Sequence, residues 1–351
     1  MNPLFFTRTI FAALFVVVFS LPSAAQAEAW HIATFETSKT MAANCPNCKE
    51  GWLGALQRAL PQNQLGPKIL RGHIIEVDLS HQRLAVMVTR RVMDGPCANH
   101  VGPVAYTNPP VVAPLPVLLR TVPQWMEESG AELALSGANF HFDADQGVRA
   151  ELPCGEVIGV NLHDGHLDWP QPGAPELLHE NIDANPQWPA DTLLINHDRT
   201  ARVLRVQDYA DLNQAAFAIA GSALFTETGG ENNGTGTKPD KNLARLGIGV
   251  MPDRQHLIII LLEGRSTTVD GFVVGSRLNR LRRLMHEFGA IDAINLDGSG
   301  SAQVVGPGGF ATTPSDPEGA RPVANHLGFR LADEPVTWTS YGQRQGNNQG
   351  N

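Results

Sequence analysis

Asp297 ends an apolar segment and is followed at once by Gly298-Ser299-Gly300-Ser301. Glycines permit a tight turn, and without a Cβ they let a ligand approach main-chain N–H groups closely. A carboxylate beside such a backbone could bind a ligand or react with it. The alternative is that the acid only caps a turn.

The elements that would position Asp297 form a strand, a helix and a second strand. "HLIIILLEGR" (256–265) contains an unbroken apolar run, typical of a strand covered on both faces, and it ends on Glu263. Ser276 can cap a helix that Gly289 ends, and residues 290–296 form the second strand. The helix has an apolar stripe made of Leu278, Leu281, Leu284, Met285 and Phe288.

Two strands joined by such a crossover are usually parallel when they share a sheet. Parallel strands have their carboxyl ends at one edge, where ligands of open α/β sheets commonly bind. We therefore expect Glu263 and Asp297 at one edge of a sheet. The predicted class is α/β (mixed α+β), a single large domain with a mixed sheet in which this strand–helix–strand unit carries the site.

Other segments complete the predicted organisation. "ILRGHIIEVDLSHQRLAVMVTRRV" (69–92) indicates two strands joined by a turn at Ser80-His81, and "TVPQWMEESGA" indicates a short helix ending near Gly130. The Gly-rich segment 228–241 is predicted to be a mobile loop, and its spacing does not fit a phosphate-binding P-loop. The polar tail 331–351 is predicted to be disordered.

The first 27 residues have the features of an export signal. Arg8 precedes a short apolar run, and Ala25-Gln26-Ala27 has the small-x-small form of a cleavage site. We expect a periplasmic or secreted protein with no stable membrane insertion after the signal is removed. The alternative is an uncleaved anchor.

Four cysteines lie in the predicted mature chain, at positions 45, 48, 97 and 154. In an oxidising compartment they are expected to pair, and three connectivities are open. Cys45 and Cys48 could also form a redox CxxC or, with His100 or His163, a zinc site. Structural pairing is favoured, because neither a thioredoxin-like pattern nor a metal-ligand spacing surrounds them.

Composition limits the partners. The chain has 351 residues, of which 42% are hydrophobic and 17% charged, enough to bury a sizeable core, and its formal net charge is −9. This charge disfavours nucleic acid and anionic membranes, so an anionic substrate would need a local basic site. No cofactor or metal is expected, since no cofactor motif or ligand cluster is recognised.

Four segments in the same order resemble motifs of the phosphodiester glycosidase family, and a fifth looks like a diverged copy of another of its motifs. "NLDGSGSA" resembles the family's NLDGGGS(S/T), "ARLGIGV" its PRTAIG and "LLEGR" its DGR. "ARPVANHLGF" (320–329) is similar to its RPVAN segment, and "ALSGANFHF" (134–142) to its AINGGFF turn. The resemblance spans about residues 69–330, which we predict to be the family domain, preceded by a Cys-containing segment at 28–68.

The sequence departs from the family pattern at several of these positions. Ser299 replaces a glycine, Ala302 a hydroxyl residue, Glu263 an aspartate and Leu246 a threonine. The family's turn asparagine aligns with Ser136, and Asn139 is a neighbouring amide that could substitute for it. The resemblance thus implies the fold more strongly than it implies catalysis.

The resemblance implies cleavage of a sugar-1-phosphodiester, a carbohydrate substrate such as a modified exopolysaccharide. This reaction passes through an oxocarbenium-like state, and a carboxylate activates water or attacks directly. Asp297 and Glu263 are the predicted catalytic acids, with Asp297 as nucleophile or general base. The predicted substrate-binding residues are Arg245, Arg265, Gly298, Ser299, Gly300, Ser301, Arg321, Asn325 and Asn139.

The arginines of this set are predicted to clamp the phosphate, because a guanidinium offers paired donors and stays charged. For each of them the alternative is a solvated side chain or a structural ion pair. The alternative for the whole protein is a non-catalytic glycan-binding protein on the same fold.

Overall fold

The computed structural model describes residues 29–66, 68–90, 95–105, 112–169, 191–229, 238–268 and 271–348. The predicted signal peptide lies outside the described residues, as do residues 230–237 of the predicted Gly-rich loop. No helix in the described ranges is long and apolar enough to cross a membrane.

A large sheet of ten strands forms the centre of the molecule, and eight of them follow the order β1-β2-β16-β15-β19-β14-β10-β11. β12 pairs with β14 and with β13 beside this path. The strands are β1 (Trp30–Thr37), β2 (Leu70–Asp78), β10 (Asn161–His163), β11 (His166–Trp169), β12 (Asp191–Asn196), β13 (Ala201–Arg205), β14 (Ala215–Phe225), β15 (Arg245–Val250), β16 (His256–Leu262) and β19 (Asp292–Asn295).

A second sheet of four strands has the order β20-β7-β21-β3, and three smaller sheets flank it. The four strands are β3 (Leu84–Val88), β7 (Leu133–Ser136), β20 (Val304–Val305) and β21 (His326–Leu331). The smaller sheets are formed by β4 (Val101–Pro103) with β5 (Val112–Pro114), by β6 (Val117–Leu118), β8 (Phe140–Phe142) and β9 (Cys154–Val157), and by β17 (Gly264–Thr268) with β18 (Gly271–Val274).

Four α-helices are described: α1 (Trp52–Ala59), α2 (Val122–Ser129), α3 (Leu278–Glu287) and α4 (Tyr341–Asn348). Helix α2 begins with a capping box between Thr121 and Gln124 and ends at Gly130, as predicted. Helix α3 buries four residues of the predicted apolar stripe, but its N-cap is Arg277 rather than Ser276.

The apolar core has two layers because the large sheet is covered on both faces. One face packs against the four-stranded sheet through residues such as Ile259, Ile294 and Leu135. The other face packs against α1 and α3 through residues such as Ile258 and Leu281. The mixed α and β class is therefore as predicted, although the ladders between the described strands are all antiparallel.

The strand–helix–strand unit has the predicted geometry with one addition. β16 and β19 both pair antiparallel with β15, so they run parallel to each other with β15 between them. Their carboxyl ends lie at the edge of the sheet where β15 begins at Arg245. Glu263 and Asp297, which follow these two strands, therefore lie at the same edge of the sheet, as expected from the sequence.

The segment after Leu331 corrects the prediction of a disordered tail, because its described residues pack on the domain. The indole Nε1 of Trp338 donates to the carbonyl of Leu84 at 3.2 Å, and its ring is 97% buried beneath Arg199. Arg344 of α4 donates to Asp164 at 2.8 Å. Aromatic and ionic anchors thus hold a segment whose polar composition suggested disorder.

Two further predictions have clear outcomes. The strands on either side of Ser80-His81 exist, but β2 joins the large sheet while β3 joins the second sheet, so they do not form a hairpin. The cysteines pair as Cys45–Cys48 and Cys97–Cys154, which selects one of the three open connectivities.

Candidate active site

Asp297 lies at the end of β19, where the chain leaves the sheet. Its main-chain N–H donates to the carbonyl of Gly137 at 3.0 Å instead of continuing the ladder. Its carboxylate accepts hydrogen bonds from the N–H of Gly298, at 2.8 Å, and from the side chain of Ser301. Burial nevertheless dominates and raises the pKa of Asp297 to about 6, against the opposing effects of these bonds and of the charge of Arg321.

Asn325 fixes the turn that holds Asp297 in place. Its side chain is fully buried; Oδ1 accepts from the N–H of Ala138 at 3.0 Å, and Nδ2 donates to Asn161 at 2.8 Å. The N–H of Gly137 also donates to the carbonyl of Asn325. Asn325 therefore positions the 137–138 turn, and the prediction that it contacts substrate is replaced by this supporting role.

The Gly298–Ser301 segment forms a single 3₁₀ turn over Ser299–Ser301. A Cβ on Gly298 would lie 2.9 Å from the carbonyl oxygen of Ala244, and one on Gly300 would lie 2.3 Å from the carboxylate of Asp316. Glycine is therefore required at both positions because other parts of the protein pack against them. The close approach of a ligand, which the sequence suggested, is not needed to explain these glycines. Ser299 has a φ of 56°, a left-handed conformation that favours the glycine of the family pattern.

Arg321 lies over this turn and is held by Asp316. Its Nε and Nη2 donate to the two carboxylate oxygens of Asp316 at 2.8 and 3.0 Å. Arg149 also contacts Asp316, at 3.3 Å. Asp316 therefore occupies the guanidinium N–H groups of Arg321 that were predicted to bind a phosphate. The positive charge of Arg321 still lowers the pKa of Asp297.

Glu263, just beyond β16, is 2% exposed and lies in a polar network that sequence reasoning missed. Its Oε1 accepts from His73 Nε2 and from the N–H of Thr313, both at 2.9 Å. The Nδ1 of His73 is 2.9 Å from the hydroxyl of Thr34, which fixes the ring between two partners. A third contact is electrostatic, since Arg71 Nη1 lies 4.0 Å from Oε2.

The two oxygens of the Glu263 carboxylate differ in their hydrogen bonding. Oε2 is buried and has no hydrogen-bond partner among the described residues. Burial would raise the pKa of Glu263, but the hydrogen bonds from His73 and Thr313 and the charges of His73 and Arg71 outweigh it and lower that pKa. Glu263 is therefore an ionised carboxylate at neutral pH with one uncommitted oxygen.

One loop connects the two acids. Thr313 donates to Glu263, and Asp316 and Arg321, a few residues later, lie against Gly300 of the turn after Asp297. β15 lies between the two strand ends, so their backbones are separated by two strand spacings, roughly 10 Å. Both carboxylates therefore lie beneath the loop of residues 312–321.

Arg245 has a different environment from the one its predicted role requires. It is 2% exposed; its Nε donates to the carbonyl of Ser276 at 3.1 Å, and its Nη2 to those of Lys238 and Lys241 at 2.8 and 3.0 Å. Burial lowers its pKa to about 10, which still leaves it charged at neutral pH. Arg245 thus holds the 238–241 loop and the start of α3, so these contacts replace the expected phosphate clamp.

Two remaining predicted residues have limited descriptions. Arg265 lies in β17, but its side chain is outside the described residues. Asn139 is half-buried, and only its main-chain carbonyl bonds within the described chain, to the N–H of Ile158. Its side-chain amide, like the hydroxyl of Ser299, has no hydrogen-bond partner among the described residues.

The residues that sequence reasoning missed are His73, Thr34, Arg71 and Asp316. His73 directly precedes the apolar pair Ile74-Ile75 in a predicted strand, and a polar residue at that position of a buried strand was the available signal. Its partner Glu263 is 190 residues away, so no local pattern could pair them.

Comparison with known proteins places the chain in a family. A family model described as phosphodiester glycosidase matches residues 130–330. The catalytic domain of zebrafish N-acetylglucosamine-1-phosphodiester α-N-acetylglucosaminidase, auto-inhibited by its pro-peptide, is similar in structure with a TM-score of 0.54 and 18% identity, covering 88% of this chain and 85% of that one. This similarity shows the fold.

Two weaker similarities were also found. A protein of Burkholderia pseudomallei whose name describes it as exported has a TM-score of 0.46 and 13% identity, covering 76% of this chain and 74% of that one. A Synechocystis protein has a TM-score of 0.43 and 12% identity, with coverages of 76% and 60%. No curated protein sequence matches the chain. The family model spans more than half of the 351 residues, and the chain therefore belongs to the phosphodiester glycosidase family.

Proposed function

We propose that this protein is an exported hydrolase that cleaves a sugar-1-phosphodiester bond in a surface or secreted glycan. The observation that carries the proposal is the pair of acids at one sheet edge whose pKa values are shifted in opposite directions, that of Asp297 raised to about 6 and that of Glu263 lowered. When the pKa values of two carboxyl groups in one site are shifted apart, one group can act as the acid and the other as the base. Family membership supplies the reaction class.

In this mechanism Glu263 is the base. Its Oε2, which no described residue hydrogen-bonds, takes a proton from the attacking water while His73 and Thr313 hold Oε1. The water oxygen forms a bond to the anomeric carbon as the bond from that carbon to the phosphate oxygen breaks. The electron pair of the broken bond leaves with the phosphate.

Asp297 is the proton donor in the same step. With a pKa of about 6 it is part protonated near neutral pH, and the second pKa of a phosphate monoester is also near 6. It can therefore protonate the departing phosphate oxygen at little cost. Glu263 then releases to solvent the proton that it took from water, and Asp297 takes a proton from solvent, which restores the starting state of both acids. This assignment reverses the role of nucleophile or general base that the sequence suggested for Asp297.

Export is supported by the two disulfides, which persist in oxidising compartments, and by the predicted signal peptide. The glycan substrate is supported by the side-chain amide of Asn139 and the hydroxyl of Ser299, two residues after Asp297, because neither group is engaged by another described residue. A periplasmic or secreted location follows from the same argument.

A non-catalytic glycan-binding protein is the second candidate. The observation that favours it is the engagement of both described arginine clamps, Arg245 by main-chain carbonyls and Arg321 by Asp316. A decayed enzyme could keep the fold and the sugar contacts while losing the phosphate clamp.

Turnover of a defined substrate panel separates the two. Purified protein is incubated with sugar-1-phosphodiesters, and free sugar and phosphomonoester are both quantified. An enzyme releases equal amounts of the two, and Asp297→Asn and Glu263→Gln lose that release. A binder shows affinity that survives both substitutions and releases neither product, which would refute the hydrolase.

A further inference from the structure

A cleft of about 660 Å³ opens beside β3, and its lining includes none of the residues of the candidate active site. It lies between β3, α2, the turn joining β10 to β11, and the Val336–Trp338 segment. This volume is in the range of small-molecule sites. Its floor includes the apolar side chains of Met87, Leu118 and Phe217.

The cleft and the active site lie on opposite sides of β21. Asn325, just before this strand, holds the turn next to Asp297. The next residue, His326, stacks its ring on Trp125 of the cleft at 5.0 Å between centroids. Because successive side chains of a strand point to opposite faces, the two sites are separate.

The free edge of β3 offers main-chain groups to the cleft. In the ladder with β21, the main-chain N–H of Thr89 bonds to the carbonyl of His326, so alternation directs the groups of residues 84, 86 and 88 away from β21. Leu84 accepts from Trp338, and Val88 donates to His163. The N–H and C=O of Val86, between them, have no partner among the described residues.

The free edge of β3 is too short to pair with an added peptide strand. His163 occupies one side of Val86 and Trp338 the other, so an added strand could pair with a single residue only. One donor and one acceptor side by side suit instead a hydroxyl group, which both accepts and donates. A hydroxylated ligand therefore fits better than an extended peptide.

His163 adds a further donor to the cleft. Its Nδ1 accepts from the main-chain N–H of Val88 at 3.1 Å, so the ring proton lies on Nε2. Burial and then the charge of Arg90 lower the pKa of His163 to about 4, so the ring is neutral at physiological pH. No described residue accepts a hydrogen bond from Nε2.

The residues that line the cleft carry an excess of positive charge. Glu128 is paired with Arg120 at 2.6 Å, and Asp164 with Arg344 at 2.8 Å. Arg90 and Arg330 also line the cleft, are exposed, and have no carboxylate partner in the described chain. In a protein of net charge −9, two arginines that have no carboxylate partner among the described residues, at the ends of a strand with hydroxyl-binding groups, favour an anionic ligand.

We propose that this cleft is a second, non-catalytic site that binds a short stretch of an anionic polysaccharide. Hydroxyl groups of one sugar unit bond to Val86 and His163, and its C–H face covers the apolar floor. Arg330 is level with Ala85 in the ladder, five residues from Arg90, so the two arginines lie roughly 16 Å apart along β3. They therefore pair with acidic substituents of different units of the chain. The site would hold an acidic glycan on the protein independently of turnover at Asp297.

Calorimetric titration of the purified protein with tetragalacturonate tests this, with maltotetraose as the neutral probe. The Arg90→Gln/Arg330→Gln variant is compared with Arg205→Gln/Arg277→Gln, which removes the same charge at two exposed positions outside the cleft. We expect tetragalacturonate to bind the wild type, the control and Asp297→Asn alike. The cleft variant should lose at least about 10-fold in affinity, and maltotetraose should bind at least about 10-fold more weakly.

Three results would overturn the proposal. The first is absence of tetragalacturonate binding, and the second is an equal loss in the control variant, which would indicate a non-specific charge effect. The third is displacement of the probe by an equal concentration of inorganic phosphate, which would indicate a simple anion site. None of these results depends on whether the protein hydrolyses a phosphodiester.

Discussion

Glu263 and Asp297 end two parallel strands at the same sheet edge, yet their carboxyl groups have opposite environments. Less of the surface of Glu263 than of Asp297 is exposed to solvent. Even so, hydrogen bonds from a histidine and a main-chain N–H, together with a nearby arginine, lower the pKa of Glu263. Asp297 also accepts hydrogen bonds, from Gly298 and Ser301, but burial outweighs them and its pKa rises to about 6. The balance between donors and desolvation, rather than position in the fold, separates the two acids.

The largest effect is expected from Glu263→Gln. Removing the base while keeping the shape should lower kcat by about 10² to 10⁴-fold, the usual scale for acid–base catalysis. Glu263→Asp, which restores the residue of the family pattern, is the matched variant and should retain at least about 10-fold more activity. Steady-state kinetics check this, and equal activity of Glu263→Gln and the wild type would remove Glu263 from the chemistry.

Asp297→Asn should lower the rate by about 10²-fold and change its pH dependence. In the wild type, kcat/KM should fall as pH rises through about 6, because the proton donor is lost, and should fall at acid pH as Glu263 is protonated. The variant has no carboxyl proton to lose, so its alkaline limb should disappear. A wild-type limb that persists in Asp297→Asn would assign that titration to another group.

Arg245→Lys should act on stability rather than on the acids. A lysine cannot reproduce bonds to three carbonyls from one planar group, so thermal unfolding should show a loss of about 1–3 kcal/mol. Arg277→Lys, at an exposed position, is the control and should unfold like the wild type. An unchanged Tm with weakened affinity for the phosphodiester would instead restore Arg245 as a phosphate clamp.

The smallest effect concerns the turn after Asp297. A non-glycine residue in the left-handed region costs roughly 1–2 kcal/mol, and glycine gives back roughly 0.5–1 kcal/mol in the unfolded chain. Ser299→Gly should therefore stabilise by at most about 1.5 kcal/mol, measured by denaturant unfolding. Ser301→Gly, which lacks a positive φ and loses a bond to Asp297, should destabilise, and the opposite order would refute this account of the turn.

The elements predictable from the sequence are those with local patterns. The apolar run of β16, the stripe of α3 and the glycine after it are each encoded within a few residues, and chain connectivity then places Glu263 and Asp297 at one edge. The insertion of β15 between β16 and β19 was not predictable, because its two partners are set by long-range pairing.

The positions of the site residues could be predicted from the sequence better than the environments of their side chains. The pairing of His73 with Glu263 joins residues 190 apart, and the burial of Arg245 depends on how residues 238–241 fold back over it. A motif match names a residue type, whereas its charge state depends on neighbours from distant segments. For that reason the role proposed for Asp297 and the contacts of Arg245 both differ from what the sequence suggested.

The most direct test of the division between the two acids is a ¹³C NMR titration of the Asp297 carboxyl group. Protein labelled at aspartate carboxyl carbons is compared with the labelled Asp297→Asn variant, so the resonance that disappears identifies Asp297. Its chemical shift should titrate with a midpoint near pH 6. A midpoint near or below 4 would show an ionised carboxylate like Glu263, and would contradict the proposal that Asp297 is the proton donor.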